Sequence, residues 1–340
     1  MDTLLVRVDP KKRGEELSRL LSRLEFRIIG QDRALQKIAR VLQKFAVGLN
    51  APNRPLAVLL FLGPSGVGKT EVSHALADIL LNNRDALTRV DCAEFQESHE
   101  VSKLIGSPPG YLGHLSNNAR LSQARLDQYQ TETTKINILT FDEIEKADEA
   151  VTDFLLGVLD RGKATLGNGE VVDFTKTIIV ITSNLGSREV SNLIHGSEIG
   201  FRSNTEARED LDAKIYKTAK EAAKRHFRPE FINRLDRIIV FRSLSEESLR
   251  RILHKELSQL RGRIPDHHAV KLDLSNRAKT FLLKQGTSDA YGARELQRTV
   301  ERYVADPLAN LLGSGQLDVG DRVLIDFEDG EMTFDRLSLS

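Results

Sequence analysis

The stretch Gly63-Pro64-Ser65-Gly66-Val67-Gly68-Lys69-Thr70 constrains this chain more than any other. It fits the pattern G-x-x-x-x-G-K-[ST] at every defined position. Leu56 to Leu62 (LAVLLFL), just before it, is a short apolar run that reads as a buried parallel strand. From Thr70 onward (TEVSHALADIL) apolar residues recur at helical spacing. A glycine-rich turn between a strand and a helix leaves backbone N–H groups free. With the positive end of the helix dipole beside them, the turn suits an anion. The pattern assigns Lys69 to the outer phosphates of a nucleotide and the Thr70 hydroxyl to Mg²⁺. An ordinary strand-to-helix turn is the alternative, and both flanks argue against it.

At 340 residues the chain is long for one core, and two domains are expected. Its 49 basic and 49 acidic residues cancel. Net charge therefore gives no global argument for binding nucleic acid or an anionic membrane. Cys92 is the only cysteine, so no internal disulfide can form and a reducing compartment fits. It ends a strand-like run (LTRVDC) and reads as a small buried residue. No apolar run reaches membrane-spanning length. In MDTLLVRVDPKKRG the charges follow a short apolar patch, the reverse of a secretory signal. A soluble, cytoplasmic protein is expected.

Taken in order, Glu15 to Phe26 reads as an amphipathic helix, and Asp32 to about Leu49 as another. After the glycine-rich loop come candidate strands Leu87–Asp91, Ile136–Phe141, Thr177–Thr182 and Arg237–Phe241, separated by helical patterns. With the strand before the loop they make a five-stranded parallel sheet covered by helices on both faces, an α/β fold. Ligands bind such sheets at the carboxyl ends of the strands. From Ser245 the pattern changes. Helices are expected over Glu246–Arg263, Ser275–Gln285 and Ala293–Leu312, with short strands at Val270–Leu274 and Arg322–Phe327. The expected division is a lead and helix over 1–26, a large α/β nucleotide-binding domain over 27–243, a small, mainly helical domain over 244–330 and a tail over 331–340.

Asp142-Glu143 closes an apolar strand, as a second nucleotide motif should. There the aspartate would orient Mg²⁺ through its water shell, and the glutamate would polarise the water that attacks the γ-phosphate. Two acids at a strand end are also common helix caps. Asn184 ends the neighbouring strand, where its amide either holds the attacking water or caps the next helix. Arg234 lies in FINRLD, just before the fifth strand, and is either an intramolecular ion pair or an arginine finger for a neighbour's γ-phosphate. Arg294, in YGAR, either touches bound nucleotide or is a solvated helix charge. The eight histidines show no metal-ligand spacing.

The stretch Ile28–Thr70, DEIEKA from Asp142, TSN from Thr182, FRPEFINRLD from Phe227 and YGAR from Tyr291 together resemble the second ATPase module of the Clp family, whose members include ClpB, ClpC and ClpA. The resemblance runs from about Phe26 to about Phe327, with the motifs in the family's order. It implies an AAA+ fold with a small lid domain, and a ring, normally a hexamer, with ATP at subunit interfaces. It implies that Ile28, Ile29, Gly30 and Gln31 line the adenine pocket. The phosphate loop is Gly63, Pro64, Ser65, Gly66, Val67, Gly68, Lys69 and Thr70. Asp142 and Glu143 become the second nucleotide motif, Asn184 the first sensor, Arg234 the trans finger and Arg294 the second sensor.

Gly110-Tyr111-Leu112-Gly113 resembles the loop with which these rings grip substrate polypeptide, and Leu166–Glu170 corresponds to a second pore-facing loop. An aromatic between two glycines is a large apolar contact on a hinge. Ile199-Gly200-Phe201 occupies the place of the short apolar tip by which some family members dock a ClpP-type peptidase, a candidate partner. The alternative is that Phe201 folds onto its own subunit. Two departures stand out. His114-Leu115-Ser116-Asn117-Asn118 replaces the family's acidic and glycine run, and Leu121–Lys135 is longer than usual. The expected function is an ATP-driven unfoldase or remodelling chaperone, a hydrolase acting on protein substrates. A non-threading ATPase switch is the alternative. A nucleic-acid motor is disfavoured by zero net charge and by the tyrosine loop.

Overall fold

The computed structural model describes residues 14–106, 119–198, 205–287 and 292–337. Contacts divide the chain into two units. The first comprises Met1–Phe61, Thr70–Ser183 and Ala223–Ile239, and the second Leu62–Lys69, Asn184–Ala222 and Val240–Ser340.

The first unit is built on strands β1 (Ala57–Leu62), β2 (Thr88–Asp91), β3 (Asn137–Asp142), β4 (Lys163–Thr165), β5 (Val171–Asp173), β6 (Thr177–Ser183) and β7 (Arg237–Val240). Five of them form one sheet in the order β2-β3-β6-β1-β7. Every residue of β1, β3 and β6 is buried. That is why AVLLFL, NILTFD and TIIVITS read as runs without alternation: neither face of the sheet meets water. β2 and β6 both pair parallel with β3, placing Asp91 opposite Asp142 and Phe141 opposite Ile181. The parallel register brings the carboxyl ends of three strands side by side, although these strands lie far apart in sequence.

β4 and β5 form a separate antiparallel hairpin that flanks the loop expected at Leu166–Glu170. Three-residue strands are too short to show a period. The longer segment Leu121–Lys135 fastens to this hairpin. Gln123 N donates to Glu170 Oε1 at 2.8 Å, and Asp173 N donates back to Gln123 Oε1 at 2.7 Å. Further along the segment, Asp127 Oδ1 accepts from Asn137 Nδ2, at the start of β3, at 2.9 Å.

The second unit carries β8 (Lys271–Leu274), β9 (Arg322–Glu328) and β10 (Glu331–Leu337) in the order β10-β9-β8. Helices Glu246–Arg263, Asn276–Gly286, Ala293–Val300 and Asp306–Gly313 pack with them around Leu253, Leu282, Leu296, Val304, Val323 and Ile325. Ser245 and Ser275 start the first two helices by accepting the N–H of Ser248 and Ala278. Two expectations are corrected here. Arg322–Phe327 is not the last strand, and 331–340 is not simply a tail, because β10 pairs along the whole of β9. Asp329 and Gly330, with φ of 51° and 91°, make the two-residue turn between them. The helix expected over Ala293–Leu312 is interrupted by a wider turn at Glu301–Ala305. Pro307, which has no N–H to give back to the preceding turn, lies two residues beyond it.

Among the described residues no helix is long and apolar enough to cross a membrane.

Candidate active site

In the second unit the glycine-rich loop is held at close quarters. Phe241 N donates to Leu62 O at 2.7 Å. Gly63 has φ of +148°, and a side chain there would put its Cβ 2.5 Å from Phe241 O. Further on, Ala293 N donates to Gly66 O at 3.0 Å. A Cβ on Gly292 would lie 2.8 Å from that same carbonyl. Glycine is therefore required at each of these two positions, Gly63 and Gly292. Arg294, the first residue beyond this contact, donates from Nη1 to Ser65 Oγ at 3.2 Å. The contact places it beside the loop. A cavity in the same unit is lined by Pro64, Val67, Leu244, Leu249, Thr287 and Gly292.

Lys69 is buried, and its ammonium donates to Gly63 O at 2.5 Å, Pro64 O at 2.6 Å and Asn184 Oδ1 at 2.9 Å. A buried ammonium needs such oxygens, because burial without them disfavours its charged form. The bond to Asn184 brings together two residues that lie in separate motifs.

In the first unit the acid pair sits at the end of β3. Asp142 is buried, and both its oxygens are engaged. Oδ1 accepts the hydroxyls of Thr182 at 2.9 Å and Thr70 at 3.1 Å, while Oδ2 accepts Arg89 Nε at 2.6 Å. Glu143 turns the chain with φ of 55°. Its N–H donates to Thr182 Oγ1 at 3.1 Å. Its carboxylate pairs with Lys146, and that hydrogen bond holds the Lys146 ammonium above its ordinary pKa. Cys92 is buried among these acids. Burial, with their charge, pushes its thiol well up, so it is no nucleophile.

Of the remaining residues, Ile28 and Gln31 are buried in the first unit, where the helices Glu15–Arg27 and Asp32–Ala46 meet, with Ile29 and Gly30 between them. Arg234 ends the short helix Pro229–Arg234, and its Nε lies 2.7 Å from Asp160 Oδ1. Tyr111 and Leu112, and Ile199, Gly200 and Phe201, lie outside the described residues. Sequence reasoning missed Arg89, Thr182, Lys146 and Asp160 as partners of the site. Strand register and helix packing bring Arg89, Thr182 and Asp160 there, whereas Lys146 comes from the turn three residues after Glu143.

A strand that runs through such a loop into a helix, in a parallel sheet with an acid pair closing β3, defines a P-loop nucleotide-binding protein. The family described as AAA domain (Cdc48 subfamily) matches residues 54–238, and that of the C-terminal, D2-small domain of ClpB protein matches residues 244–325. The chain belongs to the AAA family, as a second ATPase module of the Clp type. It is 40% identical over 326 residues to Chaperone protein ClpB 1 of Parasynechococcus marenigrum (strain WH8102), covering 96% of this chain and 35% of that protein. Against Chaperone protein ClpB of Aquifex aeolicus (strain VF5) identity is 39%, over 94% of this chain and 31% of the relative. The ATP-dependent Clp protease ATP-binding subunit ClpA homolog of Pyropia yezoensis is 38% identical, over 95% and 38% respectively. The chain thus spans about a third of the length of these relatives. Family membership makes the module a nucleotide-binding protein and an ATPase, a hydrolase.

Proposed function

We propose that the chain hydrolyses ATP within a ring of like subunits, normally six, and uses the energy to remodel polypeptide threaded through the pore. The observation that carries the chemistry is the carboxylate of Asp142, buried at the end of β3 and bonded to Thr70, the last residue of the phosphate loop. Hydroxyl and carboxylate oxygens are the donors a hard cation takes, so Thr70 and Asp142 fit Mg²⁺. The backbone of Gly63 to Gly68 fits a polyphosphate, since Gly63, Gly66 and Gly68 all take positive φ, the kind of backbone from which anion-binding turns are built. Mg²⁺, when bound, would neutralise phosphate charge and orient the reacting oxygens.

The chain's own residues do the rest. Lys69 exchanges its carbonyl partners for phosphate oxygens, and Asn184, already 2.9 Å from its ammonium, reads the same phosphate. Glu143 exchanges Lys146 for water and accepts that water's proton. Arg294, bonded to Ser65, reports nucleotide to the small domain. Ile28, Ile29, Gly30 and Gln31 line the adenine side. Arg234 serves the γ-phosphate of a neighbouring copy. Tyr111 and Leu112 grip substrate, and Ile199, Gly200 and Phe201 dock a ClpP-type peptidase where one is present. Of the domain limits expected from the sequence, 27–243 and the boundary at 244 remain our proposal, while the small domain runs past 330 to take in β10. A soluble, cytoplasmic setting suits Cys92 as the only cysteine.

Glu143→Gln tests the reading. It should bind ATP as the wild type does and hydrolyse it at least about a hundredfold more slowly, because an amide cannot take the proton. Turnover at the wild-type rate would remove Glu143 from the chemistry. A pull-down of a ClpP-type peptidase, lost in Phe201→Ala, tests docking, and no binding by an assembled wild-type ring would overturn it.

A further inference from the structure

Arg234 is held on three sides by its own subunit. On the carbonyl side, Arg54 Nη2 donates to Arg234 O at 2.5 Å, while Arg54 Nε donates to Leu159 O at 3.1 Å. One guanidinium thus joins the carboxyl ends of the helices Glu149–Arg161 and Pro229–Arg234, where a cation meets the negative ends of both dipoles. On the other side, Asp236 clips the chain to β1. Its N–H donates to Val58 O at 2.9 Å, and its Oδ2 accepts Val58 N at 2.7 Å. The side chain itself is held by Asp160, 2.7 Å from Nε.

The ion pair does little for the fold. Arg234 and Asp160 are 46% and 47% exposed, and pairs so open contribute little to folding. Helix stability gives no reason for it either. Asp160 lies in the last turn of Glu149–Arg161, where a carboxylate opposes the dipole. What the pair does fix is direction. Contact through Nε uses one of the five guanidinium N–H groups and leaves the Nη1/Nη2 edge, which can take a phosphate bidentately. We propose that Asp160 and Arg54 are positioning residues that aim Arg234 at the nucleotide of a second copy of this chain. The inference rests on the reading of Arg234 as a finger acting in trans.

The test uses rings of the full chain, with co-assembly followed by sedimentation. Asp160→Ala should bind a fluorescent nucleotide normally and keep KM for ATP, while kcat falls about ten- to a hundredfold through misplacement of the arginine. Asp160→Asn, which keeps an oxygen for Nε–H, should recover most of that loss. Mixing Asp160→Ala with Glu143→Gln subunits should restore activity as fully as mixing Arg234→Ala with Glu143→Gln. Each mixture contains interfaces with an intact finger facing an intact base. Wild-type or faster turnover in Asp160→Ala would overturn the proposal, as would a defect that Glu143→Gln fails to rescue while it rescues Arg234→Ala. If Arg234→Ala is not rescued either, in rings shown to be mixed, the trans reading itself is at fault and the inference falls with it.

Discussion

Thr182, on β6, gives its hydroxyl hydrogen to Asp142, on β3, across 2.9 Å, and its oxygen takes the N–H of Glu143 at 3.1 Å. One hydroxyl on the neighbouring strand thereby fixes both members of the acid pair: the side chain of the first and the backbone of the second. Arg89, from the strand on the other side, fixes the second oxygen of Asp142.

Thr182→Val should therefore damage catalysis without touching nucleotide. It keeps the shape and removes both bonds in a buried place, at a cost of about 1–3 kcal/mol per lost partner. We expect kcat to fall about tenfold and the melting temperature to drop by about 4–8 °C per kcal/mol for the smaller domains and less for larger ones. Thr182→Ser should restore both. Steady-state ATPase assays and calorimetry decide it, and an unchanged kcat would dissociate Thr182 from the acid pair's role.

Lys69→Met keeps the length of the side chain and removes its charge. Since charge-assisted hydrogen bonds contribute about 1.5–3 kcal/mol each, ATP affinity should fall about a hundredfold or more. Fluorescent-nucleotide titration reads this directly. The fold should survive, because the thioether stem fills the same buried space.

Tyr111→Ala separates threading from switching. It should leave basal ATPase largely intact and abolish unfolding of a tagged reporter, together with stimulation by unfolded protein. Should wild type never unfold the reporter, and the variant match it in every assay, the module would be a non-threading switch.

In the second unit, Arg277 beside Asp326, with the Ser275 hydroxyl and the Phe327 N–H, holds the Asp326 carboxyl at about 2, below its usual 3.8. A pKa lowered on folding means that the stabilisation is complete above the unfolded value and is lost as pH falls through the folded one. The small sheet should thus weaken between about pH 4 and pH 2. Asp326→Asn should flatten that part of a circular-dichroism acid titration. A titration unchanged by the substitution would show that the contact does not govern acid stability.

The large sheet could be read from the sequence because three of its strands are buried on both faces and stand out as unbroken apolar runs. Lys69, Thr70, Asp142 and Glu143 could be read because each lies inside a local motif. The strand order could not, and with it went Arg89 and Thr182, whose place depends on which strands neighbour β3. Arg234 shows the same limit from the other side. FINRLD admitted an ion pair or a finger, and only the packing of two helices supplied Asp160 as its partner. The missed β10 is a different case. Asp329-Gly330 is a hairpin signal in plain view, but the run after it, EMTFDRL, lacks the unbroken apolar character that marks the strands of the large sheet, and it is largely exposed in the structure.

That strand decides how the small sheet meets its surroundings. With β10 in place, β9 has a neighbour on each side, and the rim falls to a strand that displays Asp335 and Arg336. Charged side chains along a rim discourage a foreign strand from adding to it. A chain cut after Glu328 would bare the amides and carbonyls of β9, a more apolar strand (RVLIDFE), as a template for aberrant pairing. The last hairpin thus acts as a selvedge, keeping the weave of one molecule from being continued into the next.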